Sequence, residues 1–160
     1  MSFSSLELEN IPNVEKNIGD YISLWNVVNP DELKPEQFID FVDPNCKNRF
    51  GLLGPEGFVH IVRNRRLAFP DDFQMSLHNL DVGYNFEEGR HEARATIYFE
   101  GIYEGVVERV RGNKIRVFSD TVYYLTDSGR IIGGKSNMRP QIISALGVET
   151  EEEVLTIGEF

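Results

Sequence analysis

Residues 93–100 read ARATIYFE, and this stretch decides the fold because its apolar side chains fall at every second position. Ala93, Ala95, Ile97 and Phe99 form one set, and the residues between them form the other. Successive side chains of a β-strand point to opposite faces of its sheet. The pattern therefore predicts a strand with one face in a hydrophobic core.

The same period of two returns on both sides of this stretch. It predicts strands around Phe73–Leu77, from about Ile115 to Leu125, and from Arg130 to Met138. Turn residues separate them near Glu87–Gly89 and at Arg111–Lys114. Short turns between consecutive strands indicate an antiparallel sheet.

The N-terminal half and the end of the chain have a helical period instead. The predicted helices run over Pro12–Val28, Pro35–Val42, Pro55–Leu67 and, after the last strand, Pro140–Leu146. In the third of them Arg63, Arg65 and Arg66 are expected to face outward. Helices followed by hairpins predict an α+β fold, in which a curved antiparallel sheet forms a cone and the N-terminal helices pack on its concave face. We expect a single domain over residues 1–160, with a core at about 12–147 and loose termini at 1–10 and 149–160.

Composition limits the possible functions. The chain of 160 residues has a net charge of -10 and an isoelectric point near 4.8, which argues against binding to nucleic acid or to an anionic membrane surface. Cys46 is the single cysteine, so no intrachain disulfide can form. No uninterrupted apolar stretch is long enough for a membrane helix, and we expect a cytoplasmic protein.

Several short segments resemble SnoaL-like polyketide cyclases, a family of the nuclear transport factor two-like superfamily. They share a position at turns or packed helix ends, and the resemblance extends over about residues 14–147. The segments are Tyr21–Asn26 (YISLWN), Gly54–Phe58, Ala68–Asp71, Gly101–Gly105, Gly112, Ser128–Ile131 and Ala145–Gly147.

The resemblance implies a cone with a deep apolar pocket, and a homodimer formed through the outer face of the sheet. It also implies cofactor-free proton-transfer chemistry, although the superfamily includes non-catalytic association modules as well. Two positions depart from the cyclase pattern. Tyr103 stands where the cyclases carry a histidine, and residues 130–148 contain no Asp or Glu where they carry an acid.

Asp120 and Tyr103 are the candidate catalytic residues. Tyr103 continues the inward set of its strand, and its phenol could stabilise an enolate. Alternation places Ser119, Thr121 and Tyr123 inward and Asp120 outward, toward a dimer interface. If a bulge reverses this alternation, Asp120 becomes a general base inside the cone, where burial raises a carboxyl pKa.

The candidate substrate-binding residues combine aromatic rings with polar groups. Tyr21 and Trp25 share the helix face that packs on the sheet, and a buried phenol or indole N–H needs a partner. An amide at Asn79, which continues the inward set of its strand, also needs one. The full set is Tyr21, Trp25, Asn79, Tyr123, Lys135 and Asn137.

No cofactor or metal is expected. His60, His78 and His91 have no ligand spacing with an acid or with Cys46, and no phosphate-binding glycine loop occurs. Two functions remain open. The first is a cyclase, isomerase or lyase acting on a small apolar carbonyl compound such as a polyketide or terpenoid intermediate. The second is a binding or dimerisation module without chemistry.

Overall fold

The computed structural model describes residues 14–48, 51–52, 54–144 and 147–150. Helices α1 (Val14–Trp25) and α2 (Gly54–Ala68) precede a sheet of four long strands and one short strand. The 3-10 turns are Pro30–Glu32, Pro35–Gln37 and Glu108–Val110, and the strands are β1 (Lys47–Asn48), β2 (Gly51–Leu52), β3 (Asp71–Asn85), β4 (Arg90–Ile102), β5 (Lys114–Leu125), β6 (Ile131–Ser144) and β7 (Gly147–Thr150).

The sheet is an antiparallel meander in the order β3-β4-β5-β6-β7, and β1 and β2 form a separate small hairpin. The predicted α+β fold, a curved antiparallel sheet with the N-terminal helices on its concave face, is confirmed. Two register shifts in β3 contain Asp72 and Asn79, which have φ of 55° and 54°. Bulges of this kind bend a strand and increase its twist.

The core lies between the helices and the concave face, and aromatic rings fill much of it. Phe69 packs edge-on against Phe99, with ring centroids 5.8 Å apart, and Tyr21 packs on Phe58 at 5.7 Å. The inward residues of β4 and β5 are almost all fully buried. These contacts identify the helix-facing side of the sheet from side-chain packing as well as from alternation.

Helix α1 is fixed to the edge strand β3 by the side chain of the residue after it, which makes two hydrogen bonds to the strand backbone. Asn26 donates through Nδ2 to the Met75 carbonyl at 2.8 Å and accepts from the Met75 N–H at 2.7 Å. Arg66 donates to the carbonyls of Trp25 and Val27 at 2.8 and 2.7 Å. These two carbonyls, at and just beyond the C-terminal end of α1, thereby gain the hydrogen-bond partner that the helix does not supply.

Two predicted helices are wrong. Pro140–Ser144 continues β6, where Val117 pairs with Pro140 and Ile115 with Ile142, so pairing with β5 overrides the helical pattern. The segment after Pro35 makes one 3-10 turn, Pro35–Gln37. Helix α1 also ends at Trp25 rather than Val28, since Asn26 bonds to the sheet edge.

Candidate functional site

Three of the predicted binding residues meet on the concave side. Tyr21 and Trp25 are 3% and 4% exposed on one face of α1. The Tyr21 ring stands edge-on to Tyr123 on β5, with centroids 6.0 Å apart and planes at 88°. Trp25 lies one helical turn after Tyr21 on the buried face of α1, and it lowers the pKa of the Tyr21 phenol against the larger effect of burial.

Both phenols of this cluster are held in the protonated form. Burial raises the pKa of Tyr21 far above its ordinary value, against the smaller opposing effects of Trp25 and Arg65. Burial and the neighbouring Tyr21 raise the pKa of Tyr123 well above 10.0. At neutral pH the two phenols can therefore donate hydrogen bonds but cannot act as bases.

A row of three hydroxyls crosses the concave face beside this cluster. Ser119 Oγ lies 2.9 Å from Thr121 Oγ1, which lies 3.2 Å from Ser136 Oγ. Ser119 and Thr121 are buried, whereas Ser136 is exposed on β6. Sequence reasoning placed Ser119 and Thr121 inward but missed them as site residues. Hydroxyls at positions where the alternation predicts apolar side chains were the available signal.

Four other candidates lie on the outer face, in a groove of about 540 Å³ that runs across β4, β5 and β6. One wall is Thr96, Asp120 and Asn137, which are paired in register, and the other is Arg94, Val122 and Lys135. Between the walls lies the register row of Ala95, Thr121 and Ser136, which have the opposite, inward parity. Asn79 closes the β3 end of the groove.

The strand pairing shows which face of the sheet the Asp120 side chain takes. The pairing of β4 with β5 runs without a shift from His91–Leu125 to Ile102–Lys114, so Asp120 faces outward. Its carboxylate accepts from Arg139 at 3.0 Å and from the Thr96 hydroxyl at 3.4 Å. The alternative in which a bulge turns Asp120 into the cone is therefore wrong.

Asn79 does not continue the inward set of its strand, contrary to the sequence expectation. It lies in the register shift between His78 and Asp81, where β3 has one more residue than β4, and its side chain is exposed. Lys135 and Asn137 do take the parity opposite to Ser136 and are exposed.

Tyr103 points inward but lies apart from the other candidates. It is fully buried against Phe69, with ring centroids 5.5 Å apart, and its phenol oxygen accepts from the Val107 N–H at 3.2 Å. Asp120 and Tyr103, predicted to work together, are thus on opposite faces of the sheet.

Arg65 corrects the expectation that the arginines of α2 face outward. It is 3% exposed, and its guanidinium carbon lies 5.0 Å from the Phe99 ring centroid, within cation–π distance. Arg65 follows Phe58 and Ile61 on the buried stripe of α2, and this helical spacing was the signal in the sequence.

Neither a group of metal ligands nor a membrane-spanning helix occurs in the described segments. No three His, Cys, Asp or Glu side chains there are grouped so that they could hold a metal ion. His91 is buried edge-on to Tyr84, with centroids 4.9 Å apart, and Cys46 is buried and free. None of the helices among the described residues combines the length and apolar character needed to cross a membrane.

Comparison with known proteins gives matches at the level of structure. No protein-family model matches the chain, and no curated protein matches its sequence. TsrD from Streptomyces laurentii is similar with a TM-score of 0.61 and 17% identity, over 86% of this chain and 91% of that one. A SnoaL-like polyketide cyclase from Agrobacterium tumefaciens is similar with a TM-score of 0.58 and 14% identity, over 78% and 90% of the two chains.

A third structure is SalBIII, an epoxide hydrolase/cyclase-like enzyme of pyran ring formation in the polyether salinomycin. Its TM-score is 0.53 at 13% identity, over 87% of this chain and 96% of that one. Likeness at such low identity shows the fold alone. The resemblance to SnoaL-like cyclases is confirmed in that sense.

Proposed function

We propose that this protein binds a small, largely apolar molecule with a carbonyl oxygen on its concave side and acts on it as a cofactor-free cyclase, isomerase or lyase. One observation carries the proposal: the protonated phenols of Tyr21 and Tyr123 pack together on an otherwise apolar face, where Tyr123 lies two positions from Thr121 of the hydroxyl row. Two of the similar solved structures are described as a polyketide cyclase and an epoxide hydrolase/cyclase-like enzyme. A polyketide or terpenoid intermediate fits this chemistry.

Access to the site is expected along β6. Among the described residues, the short strand β7 pairs with β6 over Gln141–Ser144 and leaves the rest of that edge uncovered. Ser136 and Gly134 of β6 are exposed and have the inward parity. At the opposite edge α1 closes the sheet through Asn26. A ligand entering beside Ser136 would meet the hydroxyl row first.

The chemistry that these groups support is polarisation of a carbonyl. A protonated phenol that donates to the carbonyl oxygen stabilises the negative charge that develops when an α-proton leaves. On β4, β5 and β6 the carboxylates Glu92, Glu100 and Asp120 all take outward positions. The proton would therefore pass to water or to a group of the substrate itself rather than to an Asp or Glu of these strands.

The test is α-proton exchange of 2-tetralone in deuterated water, followed by proton NMR. We expect the protein to accelerate the exchange and Tyr21→Phe to reduce that acceleration by about a hundredfold, the low end for losing one oxyanion donor. Tyr98→Phe is the matched control because Tyr98 is a phenol of the outer face that bonds to Glu100. Equal rates with and without protein would reject the catalytic proposal.

A non-catalytic binding or dimerisation module is the second candidate, and the outward position of those three carboxylates favours it. We propose a homodimer through the outer face, where Tyr98 and Phe118 pack at 5.1 Å beside the groove. Val122→Asp should convert a dimer to a monomer in sedimentation velocity, with Lys34→Asp as a control at an exposed site near the helices. Binding of 2-tetralone without accelerated exchange would favour this module over the enzyme.

A further inference from the structure

The hydroxyl row places polar side chains at inward positions whose neighbours are mostly apolar. In the sheet register Ser119 lies between Ile97 and Met138, and Thr121 lies between Ala95 and Ser136. Ser119 is 3% exposed and Thr121 is 6% exposed. Valine or alanine would pack at such positions without the cost of burying a hydroxyl.

The hydroxyl row keeps hydrogen-bonding capacity that its own two bonds do not use. Three hydroxyls carry three hydrogens, and the two bonds of the row use two of them. The described residues accept or donate no further hydrogen bond to these hydroxyls. When the two bonds run in the same direction, one end of the row has an O–H to donate and the other end has free lone pairs.

The direction of the row is not fixed by its geometry. In each of the two bonds either oxygen can be the donor. Rotation of the three hydroxyls reverses the whole row, so the end that meets a ligand can change from donor to acceptor. No covalent bond forms or breaks in this reversal.

We propose that this row is the polar anchor of the concave site, and that it recognises one neutral oxygen, either a carbonyl or a hydroxyl, on an apolar ligand. A carbonyl needs a donor and an alcohol can use an acceptor, and a reversible row serves both. A carboxylate would need two or more donors and a counter-charge, whereas the register neighbours of the row are apolar. The inference rests on the proposed function, because it names the ligand class of the same site.

The experiment compares three compounds of one shape: 1-tetralone, 1-tetralol and tetralin, which has no oxygen. Dissociation constants come from titrations followed by ¹H–¹⁵N NMR, in which the single tryptophan, Trp25, supplies one indole signal in the roof of the site. We expect the ketone and the alcohol to bind equally within about twofold. Each should bind about fivefold tighter than tetralin, as expected for one neutral hydrogen bond.

Thr121→Val removes the central hydroxyl of the row with little change in shape and should make all three compounds bind equally. Ser119→Ala provides a second variant if the first one does not fold. Thr96→Val is the matched control, because Thr96 has the same side chain at an outward position, where it bonds to Asp120 at 3.4 Å. This control should keep the fivefold preference.

The outcomes separate the two proposals. If tetralin binds as tightly as the ketone, or if Thr121→Val keeps the preference, the anchor is overturned while binding of an apolar ligand to the concave side stands. A preference for the ketone over the alcohol of more than about fivefold would overturn the reversible row. If none of the three compounds binds, the proposed function fails and the anchor fails with it.

Discussion

The concave and outer faces belong to the same strands, yet their chemistry is opposite. Along β5, Ser119, Thr121 and Tyr123 face the helices, and Asp120 and Val122 between them face outward. The inner face carries rings and neutral hydroxyls, and its phenols are held protonated by burial. The outer face carries ion pairs, such as Asp120 with Arg139.

The difference shows that the position of a polar residue on a strand decides its chemistry more than its type does. Asp120 in the interior would have a raised pKa and could act as a base. One position away from Ser119 and Thr121, it is 57% exposed and paired with a cation. Variants on the two faces test this contrast, and their expected effects differ in size.

The largest effect is expected at Tyr103, which the structure makes a core residue of the concave side. Tyr103→Ala should lower the free energy of unfolding by about 3–5 kcal/mol, the usual cost of removing a buried aromatic ring. Tyr103→Phe keeps the ring and loses only the bond from the Val107 N–H, so it should cost about 1 kcal/mol. Urea denaturation measures both. If Tyr103→Phe abolishes 2-tetralone exchange at unchanged stability, the catalytic role predicted from sequence is restored.

Asn26 is the next test, because it fixes α1 over the concave face. Asn26→Ala removes two hydrogen bonds to the backbone of Met75 and should cost about 1–3 kcal/mol. Asn137→Ala, on the exposed wall of the outer groove, is the matched control and should change stability by less than about 0.5 kcal/mol. Equal losses in the two variants would contradict the anchoring role of Asn26.

A pH effect follows from Cys46, which is buried next to Gly54 at the start of α2. Burial, with a smaller effect of Asp43, raises its pKa from 9.0 to about 11. Between these values the unfolded thiol loses its proton while the folded one keeps it. Stability should therefore be complete below pH 9 and fall above it, by up to about 1.4 kcal/mol per pH unit.

Thermal unfolding between pH 8.5 and 10 measures this loss, and Cys46→Ala should remove it. Tyr21 and Tyr123 act in the same direction, but only above pH 10, where unfolded tyrosines ionise. An unchanged pH profile in Cys46→Ala would show that the thiol is not responsible.

The smallest effect is expected at Asp120 on the outer face. Asp120→Asn breaks an exposed ion pair with Arg139 and should change stability by less than about 1 kcal/mol. Binding and exchange of 2-tetralone on the concave side should stay as in the wild type. A loss of exchange in this variant would mean that the outer face, and not the concave face, contains the active site.

Some of the site could be predicted from sequence because alternation carries information about faces. The inward positions of Tyr123 and Tyr103, and the convergence of Tyr21 and Trp25 on one helix face, follow from periods of 2 and 3.6. Asn79 could not be predicted, because the extra residue in β3 between His78 and Asp81 breaks the period. Arg65 was missed because charge was given more weight than its place on the buried stripe of α2.

The sequence by itself determined the order of elements, the antiparallel hairpins and the two faces of β4 and β5, because these depend on local periodicity and turn chemistry. The tertiary structure alone decided that residues 140–144 form a strand, that Arg65 is buried and that three hydroxyls join into one row. Each of these depends on which segments become neighbours across the sheet or against a helix. Such neighbours are far apart in the chain, and local preferences do not contain them.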